Sequence, residues 1–153
     1  MRAARPADRE RLVELWSEIA SLHASLQPRF FRGGPVAPEV ERALSAQKGG
    51  AQVVLVVDGE AGVVAFAHAA LYDTPKAPSL AVRRRVHVEA VAVAGSARRH
   101  GIGRALMDAA AAWGKQRGAE QLLLTVWAGN EAAVQFYRAL GLAPINQVLG
   151  REL

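Results

Sequence analysis

Apolar positions recur every three or four residues in some stretches of this chain and every second residue in others. Leu12, Leu15, Trp16, Ile19 and Leu22 share one helical face, which predicts an amphipathic helix over residues 6–23, with Pro6 and Asp8 suited to its start. A second helix is expected over residues 38–48, stopping at Gly49-Gly50. The stretch between them, residues 27–38, carries prolines and Gly33-Gly34 and reads as a loop. Residues 52–57 are β-branched and apolar, Asp58-Gly59 is a hairpin turn signal, and residues 62–72 form the returning strand. Residues 73–79, with Pro75 and Pro78, form a loop. Over residues 84–93 the pattern alternates. It places Val86, Val88, Ala90 and Ala92 on one face and His87, Glu89, Val91 and Val93 on the other. A helix follows over residues 101–117, with Ile102, Leu106, Ala109 and Trp113 as its buried stripe and Gly118 at its end. Then come a strand over 121–127 and a helix over 130–140, with Ala133, Phe136, Tyr137 and Leu140 on one face. Gly141 caps that helix, and residues 142–149 form a last extended piece. This order of elements defines a mixed α/β (α+β) domain.

Length and composition narrow the class. At 153 residues the chain has the size of one domain. Half of it is hydrophobic, mostly alanine and valine, which excludes a disordered chain. It has no cysteine, so disulfides, thiolate metal sites and a cysteine nucleophile are excluded. The first residues lack the apolar core of a signal peptide. The longest apolar run, Val63 to Leu71 broken by His68, is too short to span a bilayer. A cytoplasmic protein with no membrane partner is the expectation. The net charge of +5 fits either a polyanion partner or a phosphate-rich small molecule. The arginines are not interleaved with aromatic residues as a base-stacking platform requires, so no nucleic-acid partner is expected.

The chemistry concentrates in residues 91–106, VAVAGSARRHGIGRAL. A strand feeds a basic, glycine-bearing turn, and a helix begins there. The first N–H groups of a helix lack partners within it and suit an anion. Gly101 and Gly103 allow close approach to the backbone, and Arg98, Arg99 and Arg104 add charge-assisted donors. The turn therefore reads as a phosphate or pyrophosphate cradle, against the plainer reading of a basic turn capped by glycines. A Walker loop is excluded because Arg104-Ala105 follows Gly103. A dinucleotide fingerprint is excluded because Leu106 stands where a small residue is needed.

The string Arg98-x-x-Gly101-x-Gly103 behind Val91-Ala92-Val93 resembles the acetyl-CoA pyrophosphate loop of the GNAT superfamily of N-acetyltransferases. Downstream, Asn130-x-x-Ala133-x-x-Phe136-Tyr137-x-x-x-Gly141-Leu142 is similar to the same family's N-x-x-A-x-x-F-Y-x-x-x-G-F element, with Leu142 in place of the final Phe. The resemblance covers residues 51–143, which it implies to be the acetyl-CoA-binding core. Residues 1–50 match as a two-helix region on the acceptor side, and the whole of 1–153 would be one N-acetyltransferase domain.

The resemblance implies the family's fold: a twisted, mostly antiparallel sheet flanked by about four helices and splayed between the fourth and fifth main strands. It implies acetyl-CoA as cosubstrate and a primary amine as acceptor. Val91, Ala92 and Val93 would line the pantetheine arm, with backbone N–H groups stabilising the oxyanion. Arg98, Arg99, His100, Gly101, Ile102, Gly103 and Arg104 would hold the pyrophosphate. Asn130 would contact the CoA arm. Tyr137 would protonate the leaving thiolate, or else serve only as a core aromatic. An alkylamine is neutral about once in two thousand molecules at pH 7, a cost of about 4.6 kcal/mol that a base or a desolvated site must lower. Glu89 is the first candidate base and His87 the second. The alternatives are an ion pair of Glu89 with an arginine such as Arg84 and a packed strand histidine at 87.

Weaker candidates are His68 at the acceptor pocket, His23 at the edge of the first helix, and Arg83-Arg84-Arg85 as a site for the adenosine 3′-phosphate or an anionic acceptor. No histidine pair has metal-ligand spacing, so no catalytic metal is expected. The acceptor is a small molecule or a peptide, and a homodimer is left open. The chain could instead acetylate protein N-termini or lysines, or be a non-catalytic CoA-binding regulator. Few acidic residues (Glu18, Glu39, Glu41, Asp73) fall where the acceptor pocket would be, which weighs against a polyamine acceptor.

Overall fold

A computed structural model describes residues 1–75, 79 and 81–151. Five strands form one sheet in the order β1-β2-β3-β4-β5. They are β1 (Arg2–Ala3), β2 (Gln52–Gly59), β3 (Gly62–Asp73), β4 (Arg84–Val93) and β5 (Gln121–Leu124). The first three pairings are antiparallel and β4–β5 is parallel. Helices α1 (Arg9–Leu26) and α2 (Ala37–Ala46) pack on one face, and α3 (Ile102–Lys115) and α4 (Glu131–Ala139) on the other. The expected α+β architecture is the observed one.

Alternation along β2 and β3 explains the two layers. Val54, Val56 and Phe66 meet Leu12, Leu15 and Val40 on the α1 face, with Trp16 stacked on Phe66 at 4.7 Å. Val53 and Ala69 meet Met107 and Ala110 on the α3 face, where Ala65 and Ala67 meet Leu106. Small side chains on β3 let α3 approach the sheet closely. At Gly114 the approach is tighter still, since an added Cβ would lie 2.6 Å from Val86 Cγ1.

Several expectations are corrected. The strand β1 was absent from the pattern. It is two residues long, held by Arg2, whose guanidinium reaches both Asp8 and Asp58 at 2.7 Å. Helix α1 starts at Arg9, behind a single 3-10 turn over Pro6–Asp8, and runs on to Leu26. The hairpin turns at Glu60-Ala61 rather than Asp58-Gly59, because Gly59 and Gly62 still pair across it. The face that α3 buries is Leu106, Met107, Ala110 and Gly114, so Ile102, Ala109 and Trp113 lie at its edge. Strand β5 ends at Leu124 rather than Trp127. Residues 142–151 carry no helix or strand.

The most consequential correction is in β4. His68 pairs with Ala90 and Ala69 with Val88, so Glu89 is an extra residue, a β-bulge. The bulge resets the alternation. Val86 and Val88 face α3, and so do Val91 and Val93, while Ala90 and Ala92 face α1. The expected faces, with Glu89 beside Val91 and Val93, are overturned.

Candidate active site

The site is a gap in the sheet. Strand β5 pairs with β4 only from Arg85↔Gln121 to Val88↔Leu124. From Glu89 onward β4 keeps β3 and has no strand partner on its other edge among the described residues. Ala94 N–H donates to Val64 C=O at 2.8 Å. By alternation, Val93 and Val91 turn their N–H and C=O groups away from β3, into the gap. A groove of about 570 Å³ passes through here, lined by residues 88–93 of β4, Leu124 at the end of β5 and residues 125–127 after it, the start of α3, the inner side of α4, and Glu18, Ile19, Leu22 and His23 of α1. It therefore opens on both faces of the sheet.

One end of the groove is the turn before α3. Gly101 caps the helix at φ +76°, in the left-handed region, where a side chain is disfavoured. The first bond within the helix is Ala105 N–H to Gly101 C=O, which leaves the N–H groups of Ile102, Gly103 and Arg104 unspent at the positive end of the helix dipole. Arg99 adopts φ +69°, alone among the described non-glycine residues, a conformation that costs roughly 1–2 kcal/mol. Arg98, Arg99, Gly101, Ile102, Gly103 and Arg104 all line the groove, whereas His100 is exposed outside it. Two arginines have structural partners. Arg98 donates from Nε to Val93 C=O at 2.9 Å and reaches Glu18 at 3.3 Å. Arg104 donates to Ala139 C=O at 3.0 Å, tying α3 to the end of α4. Gly103 answers a packing need, because a Cβ there would lie 3.0 Å from the Phe136 ring. Unspent N–H groups, a left-handed glycine and convergent arginines suit a pyrophosphate.

The other wall carries the second motif. Asn130 caps α4, accepting from Ala133 N–H at 3.2 Å, and also lines the groove. Tyr137 lines it too, beside Phe136 at 5.1 Å. Burial raises the Tyr137 pKa above the usual tyrosine value, so its hydroxyl stays protonated at neutral pH.

On the α1 face, the bulge brings Glu89 beside Tyr72 and His87. The Tyr72 hydroxyl donates to Glu89 Oε1 at 2.7 Å. His87 Nδ1 lies 3.3 Å from the same oxygen but off the line of a hydrogen bond. Its Nε2 is 3.5 Å from Thr125 Oγ1. The nearby His87 ring, chiefly, and the Tyr72 hydroxyl hold the Glu89 carboxyl below the usual glutamate range, against the opposing effect of burial. Glu89 lines the groove while His87 stands behind it. The alternative pairing of Glu89 with Arg84 does not occur. Arg84 pairs with Asp73 at 2.6 Å and donates to Arg117 C=O. His68 is bonded to Gln52 at 2.9 Å, packs on Trp16 and is pushed toward neutrality by burial. It does not line the groove, whereas His23 does. Tyr72 and Trp127 were missed as site residues. Tyr72 continues the Phe66-His68-Ala70 face of β3, and that alternation could have found it. Among the described residues no cluster of metal-ligating side chains occurs.

The sequence pattern of the acetyltransferase (GNAT) family matches residues 16–142. The chain belongs to that family and is an acyltransferase with acetyl-CoA as its donor. No curated protein matches it significantly. It is similar to the solved tetramutant of the BH1408 protein of Bacillus halodurans, 27% identical, over 99% of this chain and 98% of that one, with a TM-score of 0.90. It shares its fold with the aminoglycoside N-acetyltransferase AAC(6')-Iy in complex with CoA, at 17% identity, coverage of 99% and 97% and a TM-score of 0.74. The apo aminoglycoside 6'-N-acetyltransferase AAC(6')-IG of Acinetobacter haemolyticus is alike to the same degree, at 15% identity, 99% and 96% coverage and a TM-score of 0.75. Among the described residues no helix is long and apolar enough to cross a membrane.

Proposed function

We propose that the chain transfers the acetyl group of acetyl-CoA to a primary amine by direct attack of the amine nitrogen on the thioester carbonyl. The observation that carries this reading is the edge of β4 that no strand covers, with the N–H groups of Val91 and Val93 turned to a groove that reaches the start of α3, while Val93 C=O accepts from Arg98. The α3 turn holds the pyrophosphate, and the pantetheine arm runs along Val91–Val93. One of the β4 N–H groups donates to the thioester oxygen as it gains charge, a kind of contact worth about 2.7–4 kcal/mol in other acyl transfers. Tyr137 donates its proton to the departing thiolate. A thiol has a pKa of about 8.5 and tyrosine about 10, so the transfer runs uphill, from the weaker acid to the conjugate base of the stronger one, follows only as the C–S bond breaks, and leaves a tyrosinate that regains its proton from solvent.

The acceptor enters from the α1 face. Glu89 is ionised at neutral pH and receives the ammonium proton through water. Its lowered pKa makes it a modest base, which suits a role of binding the ammonium first and relaying its proton second. His87 supports Glu89. Residues 1–50 would supply the acceptor side and 51–143 the donor side of a single domain. The aminoglycoside enzymes of like fold support a small-molecule acceptor over a protein one.

The test is turnover of a panel of amines with acetyl-CoA, followed by thiol release and by the mass of the acetylated product. Arg98→Ala should raise KM for acetyl-CoA several-fold. Thiol release without an acetylated amine, across the whole panel, would refute the assignment.

A further inference from the structure

The groove's acceptor side is poor in free carboxylates and rich in aromatic surface, and the two features together define a substrate class. Two carboxylates line the groove, Glu18 and Glu89, and Glu18 is engaged by Arg98 at 3.3 Å. Among the groove-lining residues, Glu89 is then the one carboxylate without a lysine or arginine partner. The same groove carries an apolar wall. Leu22, 45% exposed, and Trp127 line the groove. Phe30 and Phe31 pack on the Trp127 ring at 5.4 and 4.9 Å, and His23 packs on Phe31 at 5.1 Å. Gln27 fastens this loop to the other side by donating to Ala128 C=O at 2.9 Å. Phe30 itself is 71% exposed.

We infer that the acceptor is a primary monoamine with an aromatic or bulky apolar body, its ammonium at Glu89 and its body against Leu22 and Trp127. This rests on the acetyl-transfer reading above and narrows it. A polycation would bring further ammonium groups against the apolar wall, losing their hydration with no carboxylate to receive them. An aromatic body places its ring on Trp127 and needs one carboxylate only. The likeness in fold to aminoglycoside enzymes therefore does not extend to the acceptor.

The experiment compares kcat/KM for 2-phenylethylamine, n-propylamine, spermidine and the aminoglycoside kanamycin at saturating acetyl-CoA, with calorimetry of acetyl-CoA binding alongside. Phenylethylamine should exceed spermidine and kanamycin by about 100-fold, within the range that a hydrophobic pocket can discriminate. Trp127→Ala should raise KM for phenylethylamine about tenfold and leave that for propylamine within about twofold, by loss of the ring contact alone. Phe30→Ala, at an exposed position that the core does not need, should act in the same direction but less. Spermidine or kanamycin turned over as well as phenylethylamine would overturn the substrate class and leave acetyl transfer standing. So would an unchanged phenylethylamine KM in both variants. Bound acetyl-CoA with no amine acetylated would overturn the acetyl-transfer reading itself.

Discussion

The two halves of β4 have the same partner on one edge and different surroundings on the other. From Arg84 to Val88 the strand lies between β3 and β5, and its inward side chains, Val86 and Val88, are buried under α3. From Glu89 to Val93 it keeps β3 alone, and its outer backbone edge faces the groove. An unpaired strand edge inside a protein leaves N–H and C=O groups that need partners. The bulge at Glu89 marks the change from one half to the other. The first half contributes stability, and in the proposed mechanism the second half is where the substrate chain adds itself to the sheet.

The largest expected effect comes from Val91→Pro, which deletes a groove-facing N–H without removing a bond to β3. Turnover should drop by about 10²–10³ if that N–H is the oxyanion donor, with the melting temperature nearly kept. Equal losses of turnover and stability would erase the distinction between the halves. The counterpart in the first half is Gly114→Ala, which forces a methyl into Val86. Overpacking of this kind costs about 1–3 kcal/mol, or several degrees in the melting temperature, while kcat in the folded fraction should stay the same. Tyr137→Phe should lower kcat about tenfold or more and leave acetyl-CoA affinity within about twofold, because in the proposed mechanism the hydroxyl serves only the leaving sulfur. A proportional loss of affinity would make Tyr137 a packing residue.

The smallest effect concerns pH. Glu89 titrates below the usual glutamate value of 4.5 because His87 and Tyr72 favour its charged form. A carboxyl whose folded pKa is depressed adds stability above its unfolded pKa and loses it as pH falls through the folded one. Tyr72→Phe removes one donor, so the folded pKa rises. The acid limb of kcat/KM should then move to higher pH, by less than about one unit. A limb that stays in place, or moves down, would detach Glu89 from the acid limb.

Much of this division was legible in the chain, for reasons that differ by region. The arginine-glycine turn and the Asn130–Leu142 element announce themselves because phosphate binding and helix capping need particular residue types at fixed spacing. The bulge did not, because Ala90 and Ala92 are small enough to sit on either face and let a single alternation read through Glu89. The end of β5 was hidden for a related reason. Val126 and Trp127 are apolar like strand residues, but what they face is the groove. Strand β1 is two residues long, too short for any periodicity. The turn at Glu60-Ala61 was misplaced because Asp58-Gly59 is the stronger turn dipeptide, and cross-strand pairing overrode it. The aromatic wall was hidden because Phe30 and Phe31 lie about a hundred residues from Trp127 and meet it only in the fold, where the Gln27–Ala128 bond ties the two segments together.

The central claim is that acetyl-CoA lies along the second half of β4 and across the start of α3. The direct measurement is a backbone amide titration by nuclear magnetic resonance with acetyl-CoA. The account predicts saturable shifts and slowed exchange at Val91, Val93, Ile102, Gly103 and Arg104, with Val86 and Val88 nearly unmoved. Amides that do not respond at millimolar acetyl-CoA, or that respond mainly between Arg84 and Val88, would contradict it.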